Sequence, residues 1–185
     1  MMSRPMHRWI AAAILARLVC ADAATPAAAP PQPSRPPLTI QELMETRVDP
    51  SADVLWDSVA FIASAKGEEE RRPRTPAEWD AVRRSALALI EAVGELSVPG
   101  RRVASRDKAP GPGELSTSDI QQLIDSNPGA FARHARGLRS AAAKALAAID
   151  AQDADALMTA GGLIDEACEA CHTTYWYPHQ AQAGR

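Results

Sequence analysis

Aromatic residues are scarce in this 185-residue chain, at 4% of the sequence, and there are only three cysteines. Runs of β-branched residues, which strands would need, are also absent. Alanine dominates the composition, and it is the best helix former. The composition therefore predicts an all-α fold with few large side chains in its core. By its length, the chain should form one domain behind an N-terminal extension.

Other absences exclude classes of function. The sequence contains no Gly-rich phosphate-binding loop and no set of hydrolytic catalytic residues, so we do not expect an enzyme. The formal net charge is −3, and removing residues 1–37 takes away four arginines and one aspartate, which leaves −6. Phosphate binding requires a basic face, so a nucleic-acid partner is not expected.

Residues 1–24 predict an export signal, with a basic start, an apolar run over 9–19 and a small-x-small cleavage pattern at 21–23. The run is shorter than the roughly 20 residues of a membrane span, and Arg17 interrupts it. Cys20 gives an alternative, a lipid anchor on the periplasmic side. Either way, we expect a bacterial protein exported to the periplasm. Residues 25–37 are rich in alanine and proline and predict an extended linker; residues 38–185 should form the folded domain.

Helix starts are marked by capping residues at four places: Thr39, Thr75, Asn127 and Asp153. The first helix should be kinked at Asp49-Pro50 and continue over 51–65. A charged loop over 66–74 precedes a second helix over 76–97, and a short helix over 118–125 follows. The last two helices should run over 128–150 and from 154 onward. This pattern predicts an antiparallel up-down four-helix bundle.

The pentapeptide Cys168-Glu169-Ala170-Cys171-His172 is typical of covalent haem attachment. Residues three apart on a helix share a face, so both thiols can reach the vinyl groups of one porphyrin. His172 can then serve as the proximal ligand of the iron. A thioredoxin-like redox pair would need a strand–helix setting, and a structural zinc site would need about four ligands. The sequence offers neither, so we expect one haem c at one end of the bundle.

Counting residues from the predicted turns places Met44 and His134 at the same end as His172, with the haem between the first and last helices. Met44 is the first candidate for a sixth ligand, and the alternative is that it only packs in the core. His134 is the second candidate, and His179 is a weaker one. Met158 lies about 20 Å along the helix from His172 and is too far. A five-coordinate iron without a sixth ligand stays open.

Over residues 38–178 the sequence resembles the class II cytochromes c, the cytochrome c-prime group. The attachment motif lies near the C-terminus, and Tyr175 stands where the family has Phe or Tyr. The resemblance implies a low-spin electron carrier with Met44 as sixth ligand, or a five-coordinate protein that binds nitric oxide or carbon monoxide. Two features depart from the family: Trp176 replaces the usual Arg or Lys, and Asp49-Pro50 interrupts the first helix.

We therefore expect an exported c-type cytochrome that passes single electrons to redox partner proteins, with gas binding by a five-coordinate haem as the alternative. A third reading is an interaction subunit whose haem serves a larger complex. The resemblance also implies a homodimer through the first two helices, and no surface stripe in the sequence decides that point.

Overall fold

The computed structural model describes residues 37–65 and 67–178. The predicted signal, Cys20, most of the linker and His179 lie outside these residues. The described part is mostly helical, which confirms the coarse prediction from composition, and it also contains a two-stranded antiparallel sheet. Within these ranges, no helix combines the length and apolarity needed to cross a membrane.

The first helical segment has an irregular centre. It comprises α1 (Ile40–Leu43), a π-helical segment (Met44–Val48) and α2 (Asp49–Ser58). Thr39 and Glu42 form the predicted capping box,. Pro50 lacks an N–H and would crowd the carbonyl four residues earlier in an α-helix. The π turn accommodates it, since the N–H of Asp49 donates to the Met44 carbonyl, five residues back,. The helix break predicted at Asp49-Pro50 is therefore a π-helical turn just before the proline, and the chain stays helical through it.

The prediction of helix up to residue 65 is wrong. Val59 is extended, and β1 (Ala60–Ser64) pairs antiparallel with β2 (Gly67–Arg71), from Ala60 opposite Arg71 to Ser64 opposite Gly67. Phe61 lies in β1 and is 67% exposed. A glycine at φ +122° permits the return of the chain at position 67,. The predicted charged loop over 66–74 is therefore half strand.

The remaining helices are α3 (Pro76–Leu96), α4 (Thr117–Ser126), α5 (Pro128–Asp150) and α6 (Ala154–Tyr175). The caps at Thr75, Asn127 and Asp153 are confirmed, each accepting a backbone N–H in the first turn,. The short helix α4 begins one residue earlier than the predicted 118, and Ser116 provides its cap.

The core lies between α2, α3, α5 and α6. Helix α2 packs on α3, α3 on α5, α5 on α6, and α6 on α2. Alanines with almost no exposure allow the helices to approach closely, and leucine and isoleucine fill the space between them. The most deeply buried residues are Leu43, Leu55, Ala86, Leu89, Ala92, Val93, Ala142, Ala145, Leu157 and Ile164.

At one end, the connection between α3 and α4 crosses the start of α1. The N–H groups of Ile40 and Gln41 donate to the carbonyls of Arg102 and Val103, both at 2.9 Å. Further along, the N–H of Leu115 donates to the Trp176 carbonyl at 2.7 Å. This connection therefore ties the first helical segment to the C-terminal end of α6.

Candidate functional site

A cavity of about 600 Å³ opens at the C-terminal end of α6. This volume falls within the roughly 300–1,000 Å³ typical of cofactor and ligand sites. Its walls come from the π-helical segment, the start of α2, α4, α5, the end of α6 and the 103–115 connection. Its lining includes Met44, Asp49, Phe131, Cys171, His172, Tyr175 and Trp176.

A smaller cavity adjoins it and shares Met44, Asp49, Phe131, Cys171 and His172 as lining residues. Its other walls are Val48, Leu96, His134, Ala135, Leu138, Ala167 and Cys168. These walls are almost entirely apolar. The five predicted haem-site residues on this end, namely the two cysteines, His172, Met44 and His134, thus surround one pair of neighbouring cavities.

Cys168 and Cys171 lie one turn apart on α6 and are partly buried free thiols. Burial raises the pKa of Cys168 to about 11, and the Asp49 and Asp165 carboxylates act in the same direction,. Burial raises the pKa of Cys171 to about 12, helped by the neighbouring Cys168. Both side chains therefore remain neutral thiols at physiological pH.

His172 is a half-buried residue on the last full turn of α6. Burial lowers its pKa, and the Asp49 and Glu169 carboxylates oppose that shift without cancelling it,. Burial also raises the pKa of Asp49, whereas His172 acts to lower it. The imidazole is therefore favoured in its neutral form, the form that binds metal ions.

Met44 is half-buried and lines both cavities, although it belongs to a different helical segment from His172. His134 lines only the smaller cavity, and its ring meets that of Tyr175 edge-on at 5.7 Å between centroids. Met158 lies elsewhere, in a groove with Trp56 and Gly161. Of the candidate sixth ligands among the described residues, only Met44 lines both of the cavities that His172 lines.

Three features of the site were not predicted from the sequence. Asp49 lines both cavities. In the sequence, only its closeness to Met44, five residues earlier, could have indicated a place at the site. Trp176 and Tyr177 stand with their rings against His172. The run Tyr175-Trp176-Tyr177, three consecutive aromatics in a chain with few of them, was the sequence signal for this cluster.

A haem and a bare metal ion need different numbers of protein ligands. Within residues 37–65 and 67–178, no group of three or more His, Cys, Asp or Glu side chains is placed to hold a metal ion. A tetrahedral zinc site therefore finds too few ligands here. A haem brings four nitrogen ligands and takes one or two from the protein, which His172, with or without Met44, could supply.

Compared with protein-family models, curated proteins and solved structures, the chain gives no match. The functional assignment therefore depends on the residues of the site and on the sequence motif.

Proposed function

We propose that this chain is an exported c-type cytochrome that carries single electrons through one covalently bound haem c. The observation that supports it most directly is the common surroundings of Cys168, Cys171, His172 and Met44. They come from two separate helical segments, and all four line the smaller cavity. In this proposal, the contacts between α2, α3, α5 and α6 are those of an antiparallel up-down four-helix bundle, and residues 1–24 direct export.

Each residue would have a defined role. The thiols of Cys168 and Cys171 would add across the two vinyl groups, which requires that they be present as free thiols. His172 would donate its neutral imidazole to the iron, and Met44 would provide the thioether sulfur as sixth ligand. When bound, haem c supplies a one-electron couple at its iron, and methionine ligation raises its potential.

The walls of the site also suit electron transfer. Val48, Leu96 and Leu138 are all at most 5% exposed and line the cavity beside Cys168. Such walls keep water away from a buried cofactor and lower the local dielectric constant. They also leave few polar groups that would need to reorient when the charge of the site changes.

The test is to produce the full chain in a bacterial periplasm with a c-type haem maturation system. We expect haem that remains attached after denaturation, a low-spin ferric spectrum, and a ferrous spectrum that carbon monoxide does not alter. Cys168→Ala and Cys171→Ala together should abolish attachment, whereas the control Cys20→Ala should leave it intact.

A high-spin spectrum that changes readily with carbon monoxide would instead support the gas-binding alternative and contradict Met44 ligation. A wild-type chain without any covalent haem, produced beside a well-matured control cytochrome, would overturn the proposal.

A further inference from the structure

The rings of Trp176 and Tyr177 both stand against His172 at the end of α6. We propose that these two residues form an aromatic clasp that fixes the plane of the His172 imidazole, with Glu169 and Leu115 anchoring the clasp. Trp176 and Tyr177 are thus positioning residues for His172. The contacts of the three rings are the basis for the restraint on the His172 ring. The expected effect of that restraint on a bound haem rests on the proposed function.

The backbone brings the clasp into position. The N–H groups of Trp176 and Tyr177 both donate to the carbonyl oxygen of His172, at 2.7 and 3.0 Å. Helix α6 therefore ends in a turn whose backbone hydrogen bonds are made to His172. These bonds hold the backbone of both aromatic residues close to His172.

The three rings contact one another. The centroid of the His172 ring lies 5.1 Å from that of Trp176, with the planes at 90°, and 6.0 Å from that of Tyr177, at 60°. The rings of Trp176 and Tyr177 are 5.4 Å apart. Edge-to-face contacts at such distances are favourable arrangements of aromatic pairs. An imidazole held by two of them cannot rotate without losing both.

Each arm of the clasp is anchored separately. The hydroxyl of Tyr177 donates to Glu169 Oε2 at 2.7 Å, and Glu169 is one turn before His172 on the same helix. The carbonyl of Trp176 accepts the N–H of Leu115 at 2.7 Å, from the connection that crosses this end. The Trp176 residue is 40% exposed, so its ring forms the solvent-facing side of the clasp.

The decisive measurement is the order parameter of the His172 ring, from NMR relaxation of the full chain with labelled histidine, prepared without haem. We expect the wild-type ring to be as ordered as rigid backbone, at about 0.85, and the ring in Trp176→Ala to fall below about 0.6, as in flexible segments. Trp176→Phe should restore most of the order, because it keeps an edge-to-face partner. His134 provides an internal control, since its ring contacts Tyr175 instead.

A second pair of variants tests the anchor and keeps the proposal falsifiable if Trp176→Ala does not fold. Tyr177→Phe and Glu169→Ala both remove the hydrogen bond, so each should lower the order of the His172 ring by a similar intermediate amount. Glu166→Ala changes an exposed glutamate three residues earlier and should have no effect. Unchanged order in the folded Trp176 variant, or in both anchor variants, would overturn the clasp.

The haem-loaded protein gives the second readout. In Trp176→Ala we expect broadened ferric electron paramagnetic resonance signals and a shifted midpoint potential, both reversed in Trp176→Phe. Phe61→Ala, which removes an exposed aromatic from the hairpin, should change neither. A haem-loaded Trp176→Ala protein with wild-type signals would contradict the functional role of the clasp. A wild-type chain that takes up no haem would contradict the proposed function, while the ring-order measurement would still decide the clasp.

Discussion

Trp56 of α2 donates its indole N–H to the backbone carbonyl of Gly161 in α6, at 3.0 Å. The two helices meet this closely because Gly161 has no side chain. A Cβ atom built at that position would lie 3.2 Å from Trp56 Cδ1, closer than such atoms normally approach. Gly162, the next residue, is exposed and would have open space around an added Cβ.

These neighbouring glycines give a matched pair of substitutions. Gly162→Ala should raise the free energy of unfolding by about 0.5–1 kcal/mol, because alanine restricts the unfolded chain and favours helix. Gly161→Ala has the same helical gain but must displace the Trp56 ring, so we expect it to be about 1–2 kcal/mol less stable than Gly162→Ala. Urea unfolding followed by circular dichroism measures both.

A double-mutant cycle isolates the contact. Adding Trp56→Phe should remove most of the difference between the two alanine variants, since the smaller ring relieves the clash. Equal stability of Gly161→Ala and Gly162→Ala in the presence of Trp56 would contradict the close approach.

Ligation by Met44 can be tested without disturbing packing. Met44→Leu preserves volume and should change the free energy of unfolding by less than about 1.5 kcal/mol. It should abolish the methionine–iron charge-transfer band of the haem-loaded protein and permit carbon monoxide binding. Met158→Leu, in the groove with Trp56, is the matched control and should leave the spectrum unchanged. Retention of the band in Met44→Leu would exclude Met44 as the sixth ligand.

The two thiols should react slowly in the folded, haem-free chain. The pKa values of Cys168 and Cys171 are raised from 9.0 to about 11 and about 12. At neutral pH their thiolate fractions, and hence alkylation rates, should be about 100-fold and 1,000-fold below those of the unfolded chain. Rates should rise about tenfold per pH unit up to the pKa. Iodoacetamide labelling mapped by mass spectrometry, with and without urea, checks this; equal rates in both states would show that the thiols are not buried.

The Tyr177 hydrogen bond predicts a pH dependence. Partial burial and the hydrogen bond to Glu169 raise the pKa of Tyr177 from 10.0 to about 12,. Because the folded-state pKa is the higher one, this contribution to stability is present below about pH 10 and is lost as the pH rises through about 12. Glu169→Ala should lower the Tyr177 pKa toward 10, as measured by tyrosinate absorbance of the haem-free chain. An unchanged titration would show that Glu169 does not accept this bond.

Local signals in the sequence were sufficient for most of the helices. Thr75, Asn127 and Asp153 each combine a capping side chain with a first turn that can donate to it, so these starts were predicted correctly. The hairpin was missed because Phe61 and Ile62 continue the helical spacing of Val54 and Leu55, and spacing alone does not reveal which residues find a surface to pack against. Gly67 was the one local sign of a turn.

The site was predictable where the chemistry depends on spacing within one helix, as for Cys168 and Cys171. Contacts that depend on the path of the chain after α6, or on the π turn, could not be predicted in this way. The ring contacts of Trp176 with His172 follow from the way the chain leaves α6, and the place of Asp49 on the cavity follows from the π turn. Neither arrangement is encoded in helical periodicity.

The π turn at Met44–Val48 has a consequence for how this site could change in evolution. A π turn is equivalent to an α-helix with one residue inserted. Deleting one codon within it would favour regular helix and rotate α1 by about 100° relative to α2. That rotation would also break the hydrogen bonds from Ile40 and Gln41 to the 102–103 backbone, so it would rearrange this end of the molecule as a unit. A lineage of such proteins could therefore gain or lose the methionine side of the cavity through a single in-frame insertion or deletion, without any substitution in the core.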